Sequence, residues 1–257
     1  MTVSSAFVEL AVRLADAAGP IVKRYFRAGT AIVDKDDLSP VTVADRDAEA
    51  AMRSLIAEAQ PTHGVLGEEM GADRADAEYV WVLDPIDGTK SFVTGKPLFG
   101  TLISLTHRGI PVIGIIDQPV LGERWLGIAG EPARFNGQII KTRACARLAD
   151  AWLYATTPQM FVGESLTAYD RLAGSVKFPL YGADCYAYGM LAAGWTDLVC
   201  EASLKPYDWC ALAPIVEGAG GRITDWEGRP LTITSGGRVL AAGDARMHAE
   251  AMARLKG

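Results

Sequence analysis

The chain has 257 residues, 49% of them hydrophobic, enough apolar material for one large core or two intimately packed lobes. A net charge of −6 argues against nucleic acid as a partner and would repel a phosphorylated ligand unless divalent cations bridged the two. No apolar run approaches membrane-spanning length, the opening residues lack the basic character of a secretory leader, and the four cysteines form no CxxC pair, so a cytoplasmic location without membrane partners is expected.

Residues 4–28 place Phe7, Leu10, Leu14, Ala18, Ile21, Val22 and Tyr25 on one helical face, with Pro20 a point of kinking. A polar loop, 35–42, leads into a second amphipathic helix, Val43–Ala59, with Ala48, Met52, Leu55 and Ile56 inward. Gly64–Gly67 reads as a short strand running into Glu68 and Glu69. Residues 80–83 are apolar, β-branched and aromatic and too few for a helix, which marks a buried strand. Further strands are expected over 99–106, 111–117 and 124–128, the first two joined by a turn at His107-Arg108-Gly109. Segment 141–183 reads as irregular apart from a strand at Trp152–Ala155. The remainder alternates: helix 185–194, strand 197–200, helix 207–218, strands Arg222–Asp225 and Val239–Ala242, helix 244–255. The pattern predicts an α/β body of mixed sheets layered with helices, one domain of two intimate lobes spanning about 1–140 and about 141–257.

The strand at 80–83 runs straight into Asp84-Pro85-Ile86-Asp87-Gly88-Thr89. Ionised carboxylates at the end of a buried strand are costly unless paired or bound to a cation. Pro85 stiffens the backbone between them, and Gly88-Thr89 opens a helix whose free N–H groups favour an anion. Taken alone, the motif could equally be an Asp-Gly turn with Thr89 as a cap. Three more carboxylate clusters sit at element ends: Asp45 and Asp47 at the start of the second helix, Glu68 and Glu69 after a strand, and Asp208 at the start of the 207–218 helix. Carboxylates spread this way suit oxygen ligands for Mg²⁺ converging at one sheet edge.

Other phosphate chemistries lack their residues. No cysteine has an arginine six positions on, the aspartates are spaced D-x-x-D rather than D-x-D, and Gly95-Lys96 follows Lys90 where a P-loop needs glycine. Only His63, His107 and His248 are present, too few for a histidine-rich metal centre. Metal-activated attack of water on phosphorus remains.

Gly67-Glu68-Glu69, Asp84-Pro85-Ile86-Asp87-Gly88-Thr89, and Asp208 with Glu201 seven residues before it resemble the inositol monophosphatase superfamily. The similarity runs from Pro40-Val41-Thr42-x-Ala44-Asp45 to Gly218-Ala219-Gly220-Gly221. Thr89-Lys90-Ser91-Phe92, Gly182-x-Asp184-Cys185-Tyr186 and Lys205-Pro206-Tyr207-Asp208 resemble its histidinol-phosphate phosphatase branch. The resemblance implies a layered αβαβα sandwich, a homodimer, and two or three Mg²⁺ ions per site. It implies that Glu68, Asp84 and the Ile86 carbonyl hold one ion and that Asp84, Asp87 and Asp208 hold a second. Glu68 and Thr89 would then activate water, with Asp45 supporting Thr89 or a third ion, and the Gly88 and Thr89 amides would grip phosphate. Substrate contacts would come from Ile86, Asp87, Gly88, Thr89, Gly182, Ala183, Asp184, Glu201 and Asp208. The implied reaction is Mg²⁺-dependent hydrolysis of a small phosphate monoester, histidinol phosphate first, because an acid at Asp184 suits its ammonium. The alternatives are inositol 1-phosphate or a broad range of sugar phosphates, and a non-catalytic regulator that binds metal or phosphate. Tyr186, Tyr188 and Trp195 either line the pocket or pack, and Lys35 and Lys90 either screen phosphate or are solvated.

Overall fold

The computed structural model describes residues 3–28, 32–34 and 40–257, so Lys35 and most of the loop around it lie outside the described residues. Helix α1 (Ser5–Tyr25) leads through an antiparallel pair, β1 (Ile32–Asp34) and β2 (Pro40–Thr42), into helix α2 (Val43–Ala59). The strands β3 (Gly64–Gly67), β4 (Gly71–Asp73) and β5 (Tyr79–Asp87) follow, then a five-residue helix α3 (Thr89–Val93). A meander comes next: β6 (Gly100–His107), β7 (Ile110–Gln118), β8 (Glu123–Ile128), β9 (Arg134–Phe135) and β10 (Gln138–Ile139). The second half runs β11 (Trp152–Ala155), α4 (Glu164–Ala173), β12 (Phe178–Tyr181), α5 (Tyr186–Ala192), β13 (Leu198–Glu201), α6 (Pro206–Trp209) and α7 (Leu212–Gly218). It closes with β14 (Arg222–Asp225), β15 (Val239–Ala242) and α8 (Ala245–Lys256).

Among the described residues the larger sheet has the order β10-β9-β8-β7-β6-β5-β3-β4, and the smaller β12-β11-β13-β15-β14. Alternation along the strands dictates the layering. Trp81, Leu83, Ile103, Leu105, Ile113 and Ile115 point to one face of the large sheet and pack under α1 and α2, against Leu10, Leu14, Ala48 and Met52. Val80, Val82, Leu102, Ile116 and Trp125 point to the other, where they meet Tyr188, Leu191, Trp209, Leu212 and Ile215 of α5–α7. The same helices cover Val199, Val239 and Ala241 of the small sheet, whose far face (Leu153, Leu198, Cys200, Leu240) is closed by α4 and α8. The result is α1/α2, sheet, α5–α7, sheet, α4/α8: the expected αβαβα sandwich. Strands apolar on both faces follow from being covered on both.

The segment 141–183 is more regular than its sequence suggests, since it holds α4 and β12 as well as β11. Two strands running parallel, β11 and β12, need a crossover, and α4 supplies it. Pro179 hides β12 from a pattern reading; it is tolerated because β12 is an edge strand, where one ladder donor is dispensable. The 207–218 helix is in fact two pieces, α6 and α7. Helix α1, by contrast, runs through Pro20 without a break.

The middle helices lie unusually close to the large sheet. A Cβ on Gly114 of β7 would stand 1.9 Å from the Ala211 carbonyl oxygen, and one on Gly127 of β8 2.3 Å from the Ile215 nitrogen. The Ser104 hydroxyl sits 2.8 Å from the Ile113 carbonyl and 3.1 Å from that of Cys210, tying sheet to helix just beyond Asp208. Gly114→Ala should therefore lower folding stability by about 1–3 kcal/mol, as over-packing against rigid backbone does. Urea unfolding checks this, and an unchanged midpoint would mean that the helix pair is free to shift.

Candidate active site

Asp84 and Asp87 stand on opposite sides of the Pro85-Ile86 peptide, and three residues apart in a regular strand they would face opposite sides of the sheet. The β5–β6 register breaks between them: Asp84 pairs with Leu102, whereas Asp87 pairs with Gly100. This bulge brings the two carboxylates together. Three bonds fix it. The Ile86 N–H donates to Asp84 Oδ1 (3.0 Å), the Thr101 hydroxyl to the Pro85 carbonyl (2.7 Å), and the Thr89 hydroxyl to the Ile86 carbonyl (3.2 Å).

Asp208 comes from the middle layer. It sits in the first turn of α6 and accepts the Lys205 N–H at 2.7 Å. One carboxylate oxygen each from Asp84, Asp87 and Asp208 lies within 4.8 Å of the other two, a spacing that could hold a divalent cation. Asp84 is 2% exposed, and burial, followed by the charges of Glu68, Asp87 and Asp208, pushes its carboxyl well above the usual range. Burial, then Asp184 and Asp208, does the same to Asp87. Asp208 is pushed up to about 8, mainly by burial, with Glu68 and Glu201 adding to it against the Lys205 amide. Such a cluster of mutually repelling acids is stable when a cation neutralises it.

The flanking residues are held in place by both halves of the chain. Cys185 N–H donates to Asp87 Oδ2 at 2.6 Å, fastening the end of β5 to the start of α5. Asp184 takes a left-handed backbone (φ 46°) and does not cap α5; its Oδ2 accepts the Ser91 hydroxyl at 2.8 Å. Lys96 Nζ bonds the Gly182 carbonyl. Burial raises the Asp184 carboxyl, opposed by Ser91 and by the charges of Lys96 and Lys90. Gly88 is also left-handed, and a Cβ there would lie 2.9 Å from Asp184 Cγ. Ala183 is buried within the middle-layer core. Glu201, 3% exposed at the end of β13, accepts the Thr156 N–H (2.8 Å) and the Tyr188 hydroxyl (3.0 Å), and burial raises its carboxyl.

A cavity of about 100 Å³ is lined by Asp87, Asp184, Glu201 and Asp208, with Tyr188 and Thr156 beside them. Tyr188 is therefore both packed and at the cavity wall. Tyr186 packs on Trp125 and donates to Glu123, and Trp195 is exposed against Phe135. Asp45 is fully buried in the first turn of α2, and Lys90 is solvent-exposed. A larger groove of about 560 Å³ lies between α1 and strands β7–β9, but its acids Asp16 and Asp117 are already paired with Arg124 (2.9 and 2.6 Å). The sequence reading gave no role to Ser91 and Thr101, which it met only within motifs or strands, nor to Thr156 and Glu49. Only Glu49 left a signal, as a carboxylate inside the apolar face of α2, next to Ala48 and one turn before Arg53.

The chain matches the inositol monophosphatase family over residues 4–256. It is 51% identical to a bifunctional phosphatase, IMPL2, of Arabidopsis thaliana, the match covering 97% of this chain and 75% of that one. It is 34% identical to the histidinol-phosphatase of Chlorobaculum parvum, over 91% of each chain. A solved inositol monophosphatase from Zymomonas mobilis superposes with a TM-score of 0.92 at 46% identity, over 100% of both chains.

Because folding raises these carboxyls, it favours their protonated forms, and the stability this gives is complete at low pH and lost as pH climbs towards 8. The melting temperature of the cation-free protein should accordingly fall between about pH 5 and about pH 8.5. Added Mg²⁺ should raise it most at the alkaline end, and Asp84→Asn should flatten both trends. Scanning calorimetry across that range, with and without Mg²⁺, is the check; a cation effect that is equal at both ends, or absent, would rule out the cluster as a cation site.

Proposed function

This chain belongs to the inositol monophosphatase family, and we propose that it hydrolyses a small phosphate monoester with an ammonium-bearing leaving group, histidinol phosphate above all, with the help of Mg²⁺. The observation that carries the proposal is the cavity where Asp184 and Glu201 stand beside Asp87 and Asp208. A cationic leaving group relieves the repulsion that these two acids impose on the carboxylate cluster, whereas a neutral polyol does not. The likeness to the histidinol-phosphatase of Chlorobaculum parvum supports the same substrate. The 46% identity to the Zymomonas mobilis inositol monophosphatase favours inositol 1-phosphate as the second reading.

Glu68, Asp84, the Ile86 carbonyl, Asp87 and Asp208 would hold Mg²⁺, which would supply positive charge to the phosphoryl oxygens and make the attacking water more acidic. The chain's own groups do the rest. Glu68 accepts the proton of the water, and the Thr89 hydroxyl, held by the Ile86 carbonyl at 3.2 Å, orients it. The Gly88 and Thr89 amides donate to the phosphate. Asp184 and Glu201 fix the leaving group so that its ester oxygen lies in line with the attack.

Phosphate release across histidinol phosphate, inositol 1-phosphate, fructose 1,6-bisphosphate and adenosine 3′,5′-bisphosphate tests the substrate. Histidinol phosphate should give the highest kcat/KM; a higher value for inositol 1-phosphate would select the second reading. Glu68→Gln and Thr89→Ala should lower kcat by on the order of 10²–10⁴ with KM nearly unchanged. An increase in KM alone at either position would make that residue a binding group. Asp184→Ala should cut kcat/KM for histidinol phosphate about ten- to a hundredfold, the worth of a charge-assisted hydrogen bond, and inositol 1-phosphate far less. Equal losses on both substrates would reduce Asp184 to a structural role.

A further inference from the structure

Glu49 is a charged side chain with no exposed surface, on the helix face that packs against the large sheet. Among the described residues its bonds run to Arg53 on the same helix and to the turn after β3. Oε2 accepts the Glu69 N–H at 2.8 Å, and Oε1 accepts both the Met70 N–H at 3.1 Å and Arg53 Nε at 2.7 Å. Arg53 reaches on to the Gly71 carbonyl. Helix α2 thus grips the three-residue turn between β3 and β4 by two successive amides and a carbonyl. Gly67 lets the carboxylate come this close, since a Cβ there would lie 2.0 Å from Glu49 Oε1 and 2.8 Å from an Arg53 nitrogen. On the other side, the Glu68 N–H donates to the Leu83 carbonyl at 3.1 Å, one residue before Asp84.

We infer that Glu49 is a positioning residue for Glu68: it clamps the backbone after Glu68 while β5 clamps the backbone before it, so that the Glu68 carboxylate is held against Asp84. A fold-stabilising role alone would need only burial and a partner, which Arg53 supplies. The two turn amides add a direction to that bond, and they belong to the residues next to the proposed proton acceptor. Buried groups that orient a functional side chain in this way carry measurable function although they touch no substrate. The inference rests on the role proposed above for Glu68.

The test is a mutant cycle of Glu49→Gln, Glu68→Gln and the double variant, with Arg53→Lys as a second, milder disturbance of the same clamp. Two quantities are read on each folded protein: steady-state kcat and KM, and Mg²⁺ affinity by titration calorimetry, which needs no turnover. With Glu68 intact, Glu49→Gln should lower kcat and weaken Mg²⁺ binding by about 10- to 100-fold while KM stays nearly constant. Arg53→Lys should do the same to a smaller degree. In the Glu68→Gln background neither should cost anything more, because the group they position is gone. Equal losses with and without Glu68 would overturn the inference and leave Glu49 a structural residue. Wild-type kcat and Mg²⁺ affinity in Glu68→Gln itself would overturn the proposed role of Glu68, and this inference with it.

Discussion

Mutual repulsion among buried carboxylates is the constraint around which this protein is arranged. Asp84, Asp87 and Asp208 share a space in which burial raises all three carboxyls, with Glu68, Asp87 and Asp208 adding to it at Asp84, Asp184 and Asp208 at Asp87, and Glu68 and Glu201 at Asp208. A chain does not fall into that arrangement by hydrophobic collapse. It is imposed by backbone that has no other choice: a bulge whose freed carbonyls are taken up by Thr101 and Thr89, a helix pressed onto Gly114 and Gly127, and a turn gripped by Glu49. Apolar packing in the three cores holds these pieces against the repulsion, and the same repulsion makes the site receptive to cations.

The site is also built across layers. Asp84 and Asp87 lie on β5 of the large sheet, Glu68 in the turn after β3 and Thr89 at the start of α3; Asp184 sits just before α5 and Asp208 on α6, while Glu201 ends β13 of the small sheet. Around the cavity the contacts between the two halves are polar and specific: Cys185 on Asp87, Ser91 on Asp184, Lys96 on the Gly182 carbonyl. A small displacement of the middle layer would change the spacing of Asp208 to the two strand aspartates, so core packing far from the cavity bears on the chemistry within it.

Strongly patterned elements were legible in the sequence. The strand at Gly64–Gly67 and the helix Val43–Ala59 have the predicted bounds, and the apolar run at 80–83 lies within β5. Legibility failed where tertiary context overrides pattern. Pro179 belongs to a strand only because the strand is at an edge, and α4 shows just Ala168, Tyr169 and Leu172 to the core, too sparse a stripe to stand out. Carboxylates at element ends marked the candidate residues. Their convergence could not be read from spacing, because it depends on a register break in β5 and on how closely Ala211 and α7, just beyond Asp208, approach the sheet. Glu49 carried a signal of its own kind, a charge on an apolar face, whereas Ser91, Thr101 and Thr156 look like any other small polar residues.

The shared middle layer has a consequence for synthesis. Val80, Val82, Leu102, Ile116 and Trp125 form one face of the large sheet, yet the residues that cover it, between Tyr186 and Val216, emerge much later. At translation speeds of about 5–20 residues per second, that face waits several seconds without its cover. During this interval a nascent chain exposes apolar strands next to a growing cluster of acids. Residues 1–125 already carry more acidic than basic side chains, and that net negative charge opposes contact between neighbouring nascent chains until α5–α7 arrive.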